Sequence, residues 1–392
     1  MTASQPKTVL PTSNDRNHIP AVYDRLAAVG EILDRLSCRS VFLVADPVAY
    51  EGSGAKRVLT PSLASRHVVV FREFRPNPCL ESLKQGIESY QAAQADVILA
   101  VGGGTAIDLA KLIGYSAAQA ADPADVIATL PSNPRKGLPL IVAPTTAGTG
   151  SEATHFAVVY KDGRKHSVAH PYLLPEHAIV DASLTETMPP NITAQSGLDA
   201  LCQAIESMWS VHSTPASVDD ATESIRLAWR HLNAAVHHPS KEDRRAMCRA
   251  AHLAGRAINI SKTTAPHAIS YTITSQFSVP HGRAVALTLG AVLAFNAGVS
   301  ESECADPRGP AHVGKTINDI VRLLGFETAR DAERGIQSFV ASLDCPTRLS
   351  EVGVTTDSQI EEIAGSVNVE RLANNPRRLT GTSLRAILKS IR

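Results

Sequence analysis

The sequence has no surplus of either charge, no CxxC pair, no Gly-x-Gly-x-x-Gly fingerprint, no internal repeat and no membrane-length apolar run. Each absence removes a class of function. Lysine plus arginine and aspartate plus glutamate both number 38, so the formal net charge is zero, and the pI is about 7.2. A nucleic acid or an anionic membrane surface is therefore not the expected main partner. The six cysteines, Cys38, Cys79, Cys202, Cys248, Cys304 and Cys345, are scattered, which points to reduced thiols and away from a disulfide framework. Residues 1–7 lack the charged-then-apolar order of a secretory signal. The longest apolar run, residues 285–299, contains Asn296 and two glycines. It is too short to span a bilayer comfortably and reads as a buried helix. A cytoplasmic protein with no membrane or nucleic-acid partner is expected.

What is present is an ordinary globular composition, 44% hydrophobic and 19% charged over 392 residues. That length suits about two or three domains at roughly 150 residues each. Residues 21–36 carry helical spacing, with Val22, Leu26, Val29, Ile32, Leu33 and Leu36 on one apolar face. Residues 40–46, 67–71, 95–101 and 138–144 read as buried strands. Helical patterns at 83–94 and 106–115 fall between the later ones. Strands alternating with helices predict a mostly parallel sheet with crossover helices. Asp162-Gly163 is a hairpin-like turn signal. Near Pro189-Pro190 strand patterns stop, and residues 194–209, 217–233 and 246–260 are helical. The expected organisation is an α/β dinucleotide-binding domain over residues 1–189, with glycine-rich nucleotide loops, and an all-helical metal-binding and substrate domain over residues 190–392.

In parallel sheets, ligands bind at the carboxyl ends of the strands. Gly102-Gly103-Gly104-Thr105 stands at one such end and opens a helix. Glycines let backbone N–H groups approach a pyrophosphate, and the helix start adds partial positive charge. A plain tight turn is the other reading. Asp46 ends the first strand. It could accept hydrogen bonds from a ribose and repel a 2′-phosphate, favouring NAD over NADP, or it could cap a turn. Asp199 and Gln203 are four apart and share one helix face. His267 and His281 arrive from later segments. One carboxylate, one amide and two imidazoles can surround a divalent metal, although spacing alone is also compatible with core histidines.

These residues together resemble the iron-containing (group III) alcohol dehydrogenases over nearly the whole length. The resemblance rests on Asn77-Pro78, Gly102-Gly103-Gly104-Thr105-Ala106-Ile107-Asp108-Leu109-Ala110-Lys111, Pro144-Thr145-Thr146-Ala147-Gly148-Thr149-Gly150-Ser151-Glu152, Gly197-Leu198-Asp199-Ala200-Leu201 and Pro280-His281-Gly282. It implies the dehydroquinate synthase-like fold of that family, with metal and substrate in the cleft between two domains. It also implies a cofactor site of Gly102, Gly103, Gly104 and Thr105 with Asp46, Asn77, Asp108, Thr145, Thr146, Thr149 and Lys165. The cofactor is NAD(H), with NADP(H) as the alternative. Asp199, His267 and His281 match metal ligands, and the metal is Fe2+, with Zn2+ or Mn2+ as alternatives. A homodimer or higher homo-oligomer follows from family habit.

The sequence departs from the family pattern at two metal-site positions. Gln203 stands where many members have a histidine, and Tyr271 stands where many have a second histidine after His267. An amide oxygen binds more weakly than imidazole and shifts preference away from Zn2+. A proton relay at the second position passes through the Tyr271 phenol or does not run there, so His267 and Tyr271 are the candidate catalytic pair. The implied reaction is reduction of a small aldehyde to a primary alcohol. Residues 261–271 and 277–287 resemble the phosphonoacetaldehyde reductase branch, which makes 2-hydroxyethylphosphonate in phosphonate natural-product biosynthesis. Lys262 and Arg283 flank the histidines and are the expected cations for a small anionic aldehyde. A generic short-chain alcohol or diol dehydrogenase is the alternative substrate class. A dehydroquinate-synthase-like lyase is the alternative of another class.

Overall fold

A computed structural model describes residues 19–119, 121–161, 164–367 and 372–392. Its first half is a six-stranded parallel sheet built from β1 (Ala21–Tyr23), β2 (Ser40–Ala45), β3 (His67–Phe71), β4 (Val97–Gly102), β5 (Leu140–Pro144) and, after a separate hairpin, β8 (His177–Ile179). The spatial order is β1-β8-β5-β4-β2-β3. The hairpin pairs β6 (Phe156–Lys161) with β7 (Arg164–Ala169) antiparallel. The turn expected at Asp162-Gly163 lies outside the described residues.

The sheet is buried on both faces, so its strands are continuous apolar runs and not alternating ones. Successive side chains of a strand point to opposite faces. Val41, Leu43 and Ala45 of β2 join one core with Leu26, Val29, Ile32, Leu33 and Leu59. Those partners lie on or beside the helices α1 (Ala28–Arg35), with α2 (Ala49–Gly52) following β2, and α3 (Ala55–Leu63). Phe42 and Val44 join the opposite core with Leu83, Ile87, Ile107 and Ile113, from α4 (Leu80–Ala93) and α5 (Gly104–Ala118). A short α6 (Pro123–Ala128) precedes β5.

The helix expected over residues 21–36 is shorter than its apolar spacing suggested. Residues 21–23 form the edge strand β1, paired with residues 177–179 of β8. Leu26 N then donates to Asp181 Oδ2 at 2.8 Å, and the helix begins at Ala28. The pairing partner is about 155 residues away, and no local periodicity reveals it.

From Pro190 onward every regular element among the described residues is helical. In order these are α7 (Pro190–Trp209), α8 (Pro215–His237), α9 (Lys241–Ser261), α10 (Ala265–Phe277), α11 (His281–Ala297), α12 (Pro310–Leu323), α13 (Ala329–Ala341), a 3-10 turn (Leu349–Val352), α14 (Asp357–Ser366) and a C-terminal helix Gly381–Ser390. α7 is the axis of this half. Every residue from Gly197 to Trp209 is buried, against α8, α9, α11 and α12. A helix apolar all round belongs inside a protein, so any polar side chain on it needs a partner. No described helix is long and apolar enough to cross a membrane. All six cysteines are free thiols.

Candidate active site

The nucleotide-loop side is made mostly of backbone. β3 lies on one side of β2 and β4 on the other, so a crevice opens at the carboxyl ends of β2 and β4. Asp46 follows β2, and Gly102 closes β4. The two loops are pressed together, because a Cβ on Gly102 would stand 2.6 Å from Ala106 Cβ and 2.8 Å from Asp46 Cβ. A Cβ on Gly104 would meet Thr149 Cγ2 at 2.7 Å, and one on Gly103 would meet Thr146 at 3.3 Å. Only glycine at positions 102 and 104 lets these loops close over the start of α5, whose first N–H groups have no helical partner. Thr145 N donates to Gly102 O at 2.9 Å. The Thr145 hydroxyl oxygen is buried with no protein partner. An orphaned hydroxyl beside a bare helix N-terminus, in a strand-end crevice, fits a phosphate-bearing cofactor.

The other residues of this side have distinct placements. Asp46 Oδ1 accepts from Val48 N at 3.0 Å and Ala49 N at 2.7 Å, so it caps α2. Asn77 is exposed in a left-handed turn, at φ 63°. Thr105 is half-buried in the first turn of α5, and Thr149 is exposed. Asp108 takes hydrogen bonds from Ser151 Oγ and, at 3.0 Å, from Val158 N. Both of its oxygens thus tie α5 to the loop and strand beside it.

The metal side is made of side chains from three helices. One ligand atom each from Asp199, His267 and His281 lies within 4.8 Å of the others. His267 is in the first turn of α10, and His281 is the first residue of α11. Gly282 makes their meeting with α7 possible, since a Cβ there would stand 1.9 Å from Gln195 O. His267 Nε2 lies 3.2 Å from Asp199 Oδ1. Burial works against charge on His267, but the Glu206 and Asp199 carboxylates outweigh it and push its pKa up to about 9. Burial would likewise raise Asp199, yet the two imidazoles hold it below the usual carboxylate range.

Gln203, one turn along α7 from Asp199, is 4% exposed. Its Nε2 donates to Thr149 O at 3.4 Å, a long bond, and its Oε1 is buried with no protein partner. That orphaned oxygen fits a cation beside it. Two imidazoles and a carboxylate form a donor set suited to iron(II) with open positions, and an amide oxygen adds a weak fourth donor.

Two further residues stand beside this group. The Tyr271 ring, one turn after His267 on α10, lies parallel to the His281 ring, with centroids 6.1 Å apart and 13° between planes. Lys165 of β7 holds its Nζ 4.1 Å from the Tyr271 ring centroid. Its charge reaches both Asp199 and Asp108.

The other two expected cations are placed differently. Lys262 is exposed at the carboxyl end of α9, where its charge reaches His155. Arg283 lies near the Cys345 thiol, whose pKa burial raises and the guanidinium partly offsets. It lies two residues past His281, and on a helix that spacing directs a side chain to the far side.

One residue of the site had no role in the sequence reading. Glu206 is fully buried on α7, seven residues after Asp199 and on the same face. Its Oε1 is hydrogen-bonded to His267 Nδ1. The available signal was a glutamate at i+7 on an otherwise apolar helix already carrying Asp199 and Gln203.

Comparison with known proteins matches both halves of the chain. Residues 21–182 match the family described as iron-containing alcohol dehydrogenase. Residues 193–392 match the C-terminal part of the Fe-containing alcohol dehydrogenase family. The chain is 36% identical over 307 residues to a phosphonoacetaldehyde reductase of Streptomyces viridochromogenes, covering 76% of each. It is 32% identical to long-chain-alcohol dehydrogenase 1 of Geobacillus thermodenitrificans, covering 91% of this chain and 90% of that one. Its fold superposes on the sulfoacetaldehyde reductase of Bifidobacterium kashiwanohense, solved with NAD+, at a TM-score of 0.86. The two are 28% identical, over 95% of this chain and 96% of the other.

Proposed function

We propose that this chain, which belongs to the iron-containing alcohol dehydrogenase family, reduces a small anionic aldehyde to a primary alcohol with NADH, phosphonoacetaldehyde to 2-hydroxyethylphosphonate being the preferred case. The observation that carries this reading is the Lys165 ammonium, held over the Tyr271 ring beside Asp199, His267 and His281. A cation fixed there supplies the charge-assisted contact that a phosphonate needs. Similarity to a phosphonoacetaldehyde reductase and to the fold of a sulfoacetaldehyde reductase supports the same substrate class.

In the mechanism, Asp199, His267 and His281 would hold the metal, with Gln203 Oε1 as the weak fourth donor. The Gly102 to Thr105 loop would cradle the pyrophosphate, with Thr145, Thr146, Thr149 and Asn77 around the rest of the cofactor. Such a metal would supply Lewis-acid chemistry, and a nicotinamide cofactor would supply the hydride. The protein orients the carbonyl by gripping the anionic end of the substrate at Lys165. The Tyr271 hydroxyl returns the proton to the product oxygen. Asp108 and Lys111 keep the floor of the site rigid: Lys111 is 2% exposed, and its Nζ donates to Thr154 O, Thr154 Oγ1 and Phe156 O at 2.8 to 3.1 Å.

The test is NADH oxidation with phosphonoacetaldehyde and with propionaldehyde, on wild type and on Lys165→Gln. The variant is expected to raise KM for phosphonoacetaldehyde by about tenfold or more, the worth of a charge-assisted contact. KM for propionaldehyde and Kd for NADH should stay within about twofold. Equal loss on both aldehydes would return Lys165 to the cofactor site alone. Comparable wild-type rates on the two aldehydes would make the protein a generic alcohol dehydrogenase.

A further inference from the structure

We infer that Glu206 is a positioning residue for the metal centre, selecting the form of His267 that keeps a proton on Nδ1 and presents a bare Nε2 to the cation. This rests on the reading of Asp199, Gln203, His267 and His281 as the metal-binding group. Glu206 is 0% exposed, and burial of a carboxylate requires that its oxygens be paired. Oε1 faces His267 Nδ1. Oε2 accepts from Thr264 N at 2.7 Å and from Thr264 Oγ1 at 2.9 Å. Thr264 Oγ1 in turn accepts from Trp209 Nε1 at 2.8 Å.

The carboxylate is therefore clamped from behind, and its free direction points at one imidazole nitrogen. The clamp belongs to a wider fastening of the α9–α10 connection to α7. Ser210 Oγ donates to Ser261 O at 2.7 Å, and Ser261 Oγ donates to Ser207 Oγ at 2.7 Å. His267 thus stands at the end of a rigid chain that begins on the helix bearing Asp199.

A carboxylate can only accept, so it holds the Nδ1 proton in place and leaves Nε2 for the site. A carboxylate behind a ligating histidine also raises the basicity of the ring toward the cation. Gln203 supplies a weak amide donor, and the centre then depends more heavily on the two imidazoles.

Glu206→Gln separates this role from packing. It preserves volume, and its Oε1 can still accept both Thr264 bonds. Its amide NH2 then faces Nδ1, which must become the acceptor and push the proton onto Nε2. Metal-stripped full-length protein would be titrated with Zn2+ against a chromophoric chelator, beside an NADH fluorescence titration and a thermal melt. The Zn2+ Kd of Glu206→Gln should weaken by about 10–100-fold, with the NADH Kd within about twofold of wild type. Thr264→Ala removes one of the two bonds behind the carboxylate and should weaken Zn2+ binding several-fold. It gives a second reading if Glu206→Gln does not fold. Unchanged Zn2+ affinity in a folded Glu206→Gln protein, or in Thr264→Ala where only that variant folds, would overturn the inference. Wild-type Zn2+ binding that survives Asp199→Ala would overturn the metal-site reading instead.

Discussion

The two sides of the cleft are built on opposite principles. On the sheet side, recognition is carried by the main chain: Gly102 to Gly104 lie flat between the Asp46 and Thr149 loops and expose the start of α5. On the helical side it is carried by side chains: Asp199, His267 and His281 come from three helices and converge within 4.8 Å. A backbone site follows from a local strand–glycine–helix order. A side-chain site exists only if distant helices approach to a fraction of an ångström. The metal side should therefore be the more fragile of the two.

The largest expected effect tests that asymmetry directly. Asp199→Ala or His281→Ala should lower kcat/KM by about 10³-fold or more, the several kcal/mol that a Lewis-acid metal supplies. NADH should still bind with near wild-type Kd by fluorescence titration. Loss of NADH binding in either variant would mean that the two sides are one cooperative unit.

Gly282→Ala probes the approach of α11 to α7. Its Cβ would sit 1.9 Å from Gln195 O, so the helices must part. About 3 kcal/mol of stability should be lost, the upper end of overpacking costs, together with metal content measured after purification. Gly103→Ala on the other side meets only Thr146 side-chain atoms, at 3.3 Å. It should cost little stability while weakening NADH. Equal melting temperatures for the two variants would erase the contrast.

Tyr271→Phe separates the two uses of that ring. The aromatic face that carries Lys165 survives and the hydroxyl is lost. kcat should fall by about 10²-fold, the scale of general acid catalysis, with the KM ratio of phosphonoacetaldehyde to propionaldehyde unchanged. An unchanged kcat would assign the proton to water.

The smallest effect is expected at Asp46. Asp46→Asn keeps an oxygen for Val48 N and Ala49 N while removing the charge. NADPH use relative to NADH should improve by about 1 kcal/mol, roughly fivefold, with no change in melting temperature. Asp46→Gly should improve it similarly but lose roughly 0.3 kcal/mol of stability with the cap. An unchanged cofactor ratio in both would leave Asp46 as a cap alone.

Legibility in the sequence followed the same division. The strands of residues 40–46, 95–101 and 138–144 were readable because both sheet faces are buried and the runs are continuous. β1 and β8 were not, because each is three residues long and is defined by a partner elsewhere in the chain. Asp199 and Gln203 were readable as one helix face. Glu206, on the same face, was passed over because its partners, His267 and Thr264, come from another helix. Lys262 and Arg283 were named from their closeness in sequence to the histidines, which leaves their side-chain surroundings open; the Arg283 guanidinium lies near Cys345.

The sequence by itself determined the class of the protein: parallel strands, glycine loops at their ends, a buried helix with a misplaced aspartate, and two histidines. Periodicity and glycine content express themselves within a few residues, so they survive without coordinates. Only the tertiary structure decided which cation stands over the Tyr271 ring, which oxygen lacks a partner and which carboxylate stands behind the histidine. Those are distances between side chains far apart in the chain, set by how closely α7, α10, α11 and the β6–β7 hairpin pack.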